Sequence, residues 1–333
     1  MPIARVEAAL RRVGLDRYMM LLVGTVLLAS LCPARGEFAR ILGHVTYWAV
    51  ALLFFLYGAK LATATILSGL TNWKLQLGCL ACTYVMFPLL AIAMQPVVGH
   101  WLPAAFVAGL LYLACLPSTV QSSIAFTSVS GGNVAGAVCA ASISNVLGVL
   151  LAPVLFMLLI PAEVGAQGGV HVDASAIWKI ARQILLPFAL GQLCRPLLSG
   201  FLNRHKLPTI IVDRGSILLI VYAAFSAGVV NGIWSAVAPG QLAALMAAIA
   251  VLLALVMGLS LVMARLGGMM RADTIALYYC GSTKSLATGL PMAGILFAGQ
   301  NVAMIVLPLM LFHLLQLFVC AIVSQRLALR VAV

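Results

Sequence analysis

Two short stretches hold the side chains best suited to chemistry. They are "CLPSTVQSSIAFTSVSGGN", from Cys115, and "CGSTKSLATGLPMAGILFAGQN", from Cys280. Each runs Cys, then Ser-Thr, then a long polar side chain followed by Ser, and each reaches glycine and asparagine before a long apolar run. The shared order pairs Ser118-Thr119 with Ser282-Thr283, Gln121-Ser122 with Lys284-Ser285, and Asn133 with Asn301. Both stretches lie in apolar segments, so a helix break there strands backbone N–H and C=O groups that must face protein or water rather than lipid. Pro117 lacks an N–H and crowds the preceding turn, which ends a helix. Gly281 allows the backbone to leave helical geometry at the second break. Each half-helix after a break turns its N-terminal N–H groups, about half a positive charge, toward the gap, and the half-helix before it offers carbonyls to a cation. Pro117, Ser118, Thr119, Gln121, Ser122 and Ser123, with Cys280, Gly281, Ser282, Thr283, Lys284 and Ser285, are therefore the candidate substrate- and ion-binding residues. A single hydroxyl of this kind more often bonds the carbonyl one turn back. Two matched clusters are harder to explain that way.

Lys284 carries the most information. An ammonium at mid-membrane costs at least about 2.5 kcal/mol on insertion scales, and no local carboxylate offsets it. Three chemistries remain open: an internal cation standing where sodium would sit, a counter-charge for an anionic solute, or a protonatable group for proton coupling. Snorkelling to an interface is disfavoured, because Lys284 lies more than ten residues from either end of its predicted span.

The elements that must position these residues follow from composition. The 333 residues are 64% hydrophobic and 8% charged, with a mean hydropathy of +1.16. A soluble domain of this length needs more charge on its surface, so an all-α polytopic membrane protein is expected. Ten apolar runs are long enough to span: 17–34, 44–63, 75–97, 103–129, 133–160, 175–200, 212–234, 240–264, 272–298 and 301–326, the first read as an uncleaved span. The stretch "TATILSGLTNWK" is short and amphipathic and suits the interface. With the N-terminus inside, fourteen of the nineteen Lys and Arg fall in cytoplasmic segments and four in outer ones. That bias places both termini in the cytoplasm and accounts for the net charge of +12 without nucleic acid. Trp48, Trp73, Trp101, Trp178 and Trp234 sit near the predicted span ends. The division is a cytoplasmic segment 1–16, a first five-helix repeat 17–160, an outer linker 161–174, a second repeat 175–326 and a tail 327–333. Five is odd, so the repeats have opposite orientations, the inverted plan of secondary transporters with broken helices near the midplane. Ser142 and Asn145 on the fifth span, and His313 with Gln316 on the tenth, are further candidates. Cys79 and Cys82 form a CxxC with no second pair, so no metal site is expected. HExxH, GxSxG, paired intramembrane aspartates and a phosphate loop are all absent, and no enzyme or cofactor is expected.

The stretches "NWKLQL", "LLPFALGQLCRPLL" and "VDRGSILLIVYAAFS", together with the two break motifs, resemble the bile acid:sodium symporter superfamily. Within it they resemble the bacterial branch akin to the seventh member of solute carrier family ten. The resemblance runs from about Arg17 to Arg326. It implies a panel domain of spans one, two, six and seven, and a core domain of spans three to five and eight to ten. It also implies that broken helices four and nine cross, with sodium bound behind the crossing and an organic anion between the domains. The family's sodium-binding glutamate falls here at Cys280 and the following glutamine at Lys284. Another glutamine falls at Thr83, five residues before Pro88, and two hydroxyls fall at Ala137 and Ala141. Only the fourth-helix pair keeps polar equivalents, around Gln121 and Ser122. A carboxylate lost and an ammonium gained argue against ordinary two-sodium symport, since a hard cation needs several oxygen ligands. The expected function is alternating-access transport of a small organic, anionic solute across a bacterial inner membrane. Sodium coupling is doubtful, and sodium or a proton is the candidate coupling ion. The alternative from another class is a regulatory or scaffold membrane protein, for example in calcium homeostasis.

Overall fold

A backbone in hydrocarbon has to satisfy its own polar groups, and in the computed structural model every regular element among the described residues is helical. Those residues are 17–60, 72–160, 178, 181–230, 232, 237–297 and 300–329. The N-terminal segment, the outer linker, nearly all of the amphipathic stretch and the last tail residues lie outside them. In chain order the helices are α1 (Arg17–Leu31), α2 (Gly36–Lys60), α3 (Trp73–Val98), α4 (Ala104–Cys115), α5 (Gln121–Val129) and α6 (Val134–Leu159). They continue with α7 (Leu186–Arg204), α8 (Lys206–Val230), α9 (Pro239–Leu266), α10 (Arg271–Ser282), α11 (Leu286–Leu296) and α12 (Val302–Leu329). Six of them, α2, α3, α6, α8, α9 and α12, are long and apolar enough to cross a membrane, and α1 and α4 are shorter apolar helices.

Two helices start well before their apolar runs. α2 begins at Gly36 rather than at 44. Glu37 in its first turn suits the positive end of the helix, and the Arg40 guanidinium pairs with it one turn on, so a charged stretch continues the helix. Trp48 consequently stands mid-helix rather than near an end. α8 begins at Lys206 rather than at 212, because Pro208 falls in the first turn, where no N–H is required.

Helices α1, α2, α7 and α8 pack together, with α7 lying along α2 and α8 against α1 and α2. Helices α3 to α6 and α9 to α12 form a second packed group, and α8 reaches it through α11 and α12. Glycine sets the α2–α7 approach. A Cβ on Gly58 would collide with the Phe188 carbonyl, and one on Gly191 with the Phe55 carbonyl. Small residues let membrane helices reach backbone contact in this way.

One end of the second group is held by Asp273, 7% exposed in the first turn of α10. Its carboxylate accepts hydrogen bonds from the Asn72 amide (2.9 Å) and the Asn133 amide (2.7 Å). The same two asparagines cap α3 and α6 through the Leu75 and Gly136 N–H groups. Three helix N-termini thus share one buried carboxylate, as their dipoles favour.

Leucine at Gly58 or Gly191 should push α2 and α7 apart and destabilise the fold by roughly 1–3 kcal/mol. Gly24→Ala, with no neighbouring atom within 4 Å, should leave stability unchanged or raise it slightly. Thermal unfolding of the purified variants in detergent checks both.

Candidate functional site

Both expected breaks are present, and they touch. α4 stops at Cys115, Leu116 is extended (ψ 154°), and helix resumes at Gln121. α10 runs through Gly281 to Ser282, and the backbone departs at Thr283 (ψ 151°). The departure therefore does not occur at Gly281, which packs tightly instead: a Cβ there would come within 3.0 Å of the Cys82 Cβ. The Thr283 hydroxyl lies 3.2 Å from that of Ser118 and 3.4 Å from that of Thr119. The Ser285 N–H donates to the Pro117 carbonyl at 2.8 Å. Asn145 ties the breaks together by donating to the Ser118 carbonyl (2.7 Å) and accepting from the Thr288 hydroxyl (2.9 Å). The Ser144 hydroxyl accepts the Ser118 N–H at 3.1 Å, and Tyr84 donates to the Ser144 carbonyl. Ser285 caps α11 through the Thr288 N–H, and the buried Tyr112 hydroxyl donates to the Gly289 carbonyl at 2.6 Å.

Lys284 is 0% exposed. Its ammonium donates to three backbone carbonyls, Thr83 at 2.8 Å, Ala114 at 2.7 Å and Leu116 at 2.7 Å, and sits 4.1 Å from the centre of the Phe87 ring. Three donors meet three acceptors, so the group is saturated without a carboxylate. Proline explains why two of those carbonyls are available. α3 widens into a π-helical turn at Cys82–Met86, where the Phe87 N–H bonds the Cys82 carbonyl. The next carbonyl, of Thr83, would need the N–H of residue 88, which is proline and has none. At the end of α4, Pro117 likewise offers no donor to Ala114, and the Ser118 N–H is taken by Ser144. The negative end of α4 adds its dipole to the cradle. The main chain of Lys284 is clamped by Gln316 of α12, whose Oε1 accepts the Lys284 N–H (2.8 Å) and whose Nε2 donates to the Lys284 carbonyl (2.9 Å).

On the other side of the crossing lies a cavity of about 610 Å³, between the two helix groups. Thr119, Gln121, Ser122 and Ser285 from the breaks, with Ser142, Asn145 and Thr288, line its polar wall, and His313 stands at one side. Phe54, Tyr57, Phe126 and Phe188 supply aromatic surface, and Lys60 and Arg214 supply positive charge. No Asp or Glu is among the described lining residues.

The candidates therefore separate into groups. Thr119, Gln121, Ser122, Ser142, Asn145, Ser285 and His313 face the cavity, while Ser118, Thr283, Lys284 and Thr83 are buried behind it. Ser282 donates to the Tyr278 carbonyl one turn back in α10, and Ser123 donates to the Thr119 carbonyl in the break before α5. Asn133 is the α6 cap held by Asp273. Cys280 is buried with Cys79, Cys82, Ala137 and Ala140 in an apolar cluster, and among the described residues no group of His, Cys, Asp and Glu could hold a metal ion. The donor set at the expected sodium positions does not fit a hard cation, because thiol and methyl groups replace oxygens and an ammonium already holds the carbonyls. That a cation at the break is held by carbonyls agrees with one of the three expected chemistries, but which carbonyls hold it, the Phe87 ring, the Gln316 clamp and the pair Lys60 and Arg214 were not foreseen. Pro88, five residues after Thr83, is the signal that points to the first of these.

The family model described as "SBF-like CPA transporter family" matches residues 16–329. "Uncharacterized protein PA2026" of Pseudomonas aeruginosa is 48% identical over 315 residues, covering 95% of this chain and 93% of that one. "Putative symporter YfeH" of Escherichia coli K12 is 45% identical over 316 residues (94% and 92%). "Sodium/bile acid cotransporter 7" of Rattus norvegicus is 29% identical over 314 residues (91% and 90%).

Replacing Lys284 by methionine keeps the apolar stem and removes the burial cost of the charge. It also leaves three carbonyls without a donor, one in the π turn of α3 and two at the end of α4, at about 1–3 kcal/mol each. The second effect should win, with a net loss of roughly 2–4 kcal/mol in denaturation of the purified variant. Stability equal to the parent would show that the cradle does not depend on the ammonium.

Proposed function

Because this chain belongs to the SBF-like CPA transporter family, it is a membrane transporter of the bile acid:sodium symporter type, and we propose that it carries a small organic anion by alternating access without sodium as the coupling ion. The observation that carries the reading is the cavity between the two helix groups. It has hydroxyls and amides on one wall, aromatic rings around it, Lys60 and Arg214 opposite, and no carboxylate among its described lining residues. Lysine and arginine side chains at a cavity offer an anion counter-charge, and a mainly apolar wall with a few convergent polar groups suits an organic body.

In this reading α4 with α5, and α10 with α11, are the fourth and ninth of ten spans, arranged as two inverted five-span repeats. Helices α1, α2, α7 and α8 form the panel, and α3 to α6 with α9 to α12 form the core. Both termini lie in the cytoplasm, and the membrane is the bacterial inner one. The packing of the two groups supports this division. The glycine contact of α2 with α7 makes one half a unit able to move against the other. Lys284 replaces the sodium ions: a covalently attached cation neutralises the stranded carbonyls that a bound ion would otherwise satisfy. A carrier built this way keeps its crossing assembled through the whole cycle, and sodium has no oxygen cage to enter. The chain acts as a carrier and not as an enzyme.

Purified protein in liposomes should take up at least one of octanoate, phenyl sulfate or taurocholate, at a rate unchanged when potassium replaces all sodium. Uptake that stops without sodium would sink the coupling proposal. Failure to bind or move any organic anion would sink the carrier reading. Exchanging both Lys60 and Arg214 for glutamate should weaken anion binding by about tenfold or more, with the loss shrinking at high salt.

A further inference from the structure

The charge of Lys284 has no route by which it can leave the crossing. An ammonium has three hydrogens and no lone pair, and the carbonyls of Thr83, Ala114 and Leu116 lie 2.8, 2.7 and 2.7 Å from its nitrogen. A neutral amine would turn a lone pair toward one of these oxygens at bonding distance. The carbonyls hold hydrogen bonds and do not take up a proton near neutral pH. The titratable groups around them offer no alternative acceptor. The neighbours on α3 and α4 are the thiols of Cys82 and Cys115, and a thiol already carries its hydrogen. On α10, Cys280 turns to the Ala137 carbonyl (3.7 Å) and the Tyr279 hydroxyl to that of Ser130 (2.8 Å). His313 of α12 approaches the main chain of Lys284 rather than its ammonium. Asp273 stands at the far end of α10, held by two asparagines.

A charge fixed to the chain crosses the membrane with the moving half and returns with it, so it adds nothing to the charge moved per cycle. A dissociable ion crosses once and stays behind, and its gradient is what drives a solute uphill. We infer that this carrier is an electrophoretic uniporter: each cycle moves the charge of the organic anion alone, with neither sodium nor a proton accompanying it. The inference rests on the reading of the chain as an anion carrier and adds its driving force and direction. Two sodium ions with a monoanion would move net positive charge, and an inside-negative potential would drive uptake. With the cation tethered, only the negative charge is moved, and the same potential drives the anion out of the cell. At 100 mV a monoanion then reaches an outside-to-inside ratio of about fiftyfold. The change from bound ion to lysine thus inverts the sense in which the membrane potential acts.

The charge state can be read without any solute. In protein labelled with ¹⁵N-lysine and reconstituted in nanodiscs, five lysines contribute, and the Lys284 signal is the one that stays when the others are changed to arginine. It should be that of an ammonium at neutral pH. The full chain is then placed in sodium-free liposomes, with a potassium gradient and valinomycin setting the potential, and given taurocholate or phenyl sulfate. Both are strong acids that stay charged, so neither leaks across as a neutral molecule. With the interior positive by 100 mV, the expected accumulation is about fiftyfold, and the reverse potential should empty the vesicles to the same degree. A pH gradient or a sodium gradient at zero potential should produce no accumulation. A neutral amine at Lys284 overturns the inference. Accumulation that ignores the potential, follows the pH gradient or requires a counter-anion inside the vesicle overturns it too and leaves the carrier reading standing. Accumulation driven by sodium overturns both the inference and the proposed lack of sodium coupling. A protein that neither binds nor moves either anion under any of these conditions overturns the carrier reading itself.

Discussion

An ammonium in a water-free interior must find acceptors, and here they are three main-chain carbonyls, two of which proline has left unpaired. Pro88 removes the donor that the π turn of α3 would have offered to Thr83. Pro117 and the diverted N–H of Ser118 leave Ala114 open at the end of α4. Neither half is stable alone. The carbonyls would face hydrocarbon unsatisfied, and the charge would be stranded. Together they fasten α3, α4 and the α10–α11 break at one point, and everything else at the crossing is arranged around that contact.

The same contact separates the two faces of the crossing. Behind it the wall is apolar, with Cys79, Cys82 and Cys280 packed against alanines. In front, the hydroxyls of Thr119, Ser122 and Ser285 and the Asn145 amide open onto a cavity with a positively charged far wall. A bound ion supplies its charge only while it stays bound. A tethered ammonium supplies it permanently, so the rigidity of the crossing no longer depends on what the solution contains.

Many of the local devices are doubled. Asn72 and Asn133 each cap a helix with one amide atom and hold Asp273 with the other. Asn145 uses both ends of its amide to join the two breaks, and Gln316 uses both of its own on one residue's backbone. An amide has a donor and an acceptor in fixed relation, so it can satisfy two stranded backbone groups without adding charge. This suits an interior where each charge is costly, and only one is kept at the crossing.

Hydropathy by itself determined that the chain is helical and spans a membrane, because no other open-ended structure satisfies its backbone in lipid. The repeated Ser-Thr motifs located both breaks to within a few residues, since proline and a loss of apolar side chains are local properties. The start of α2 was hidden because a charged first turn reads as a loop until Glu37 is seen paired with Arg40. Lys284 could be recognised as out of place, yet its partners could not be named: a carbonyl has the same sequence at every position, and only the tertiary fold decides which ones are left unpaired and turned toward a common point. The cavity is of the same kind. Lys60, Arg214 and His313 come from three helices distant in the chain, and nothing short of packing those helices brings their side chains to one space.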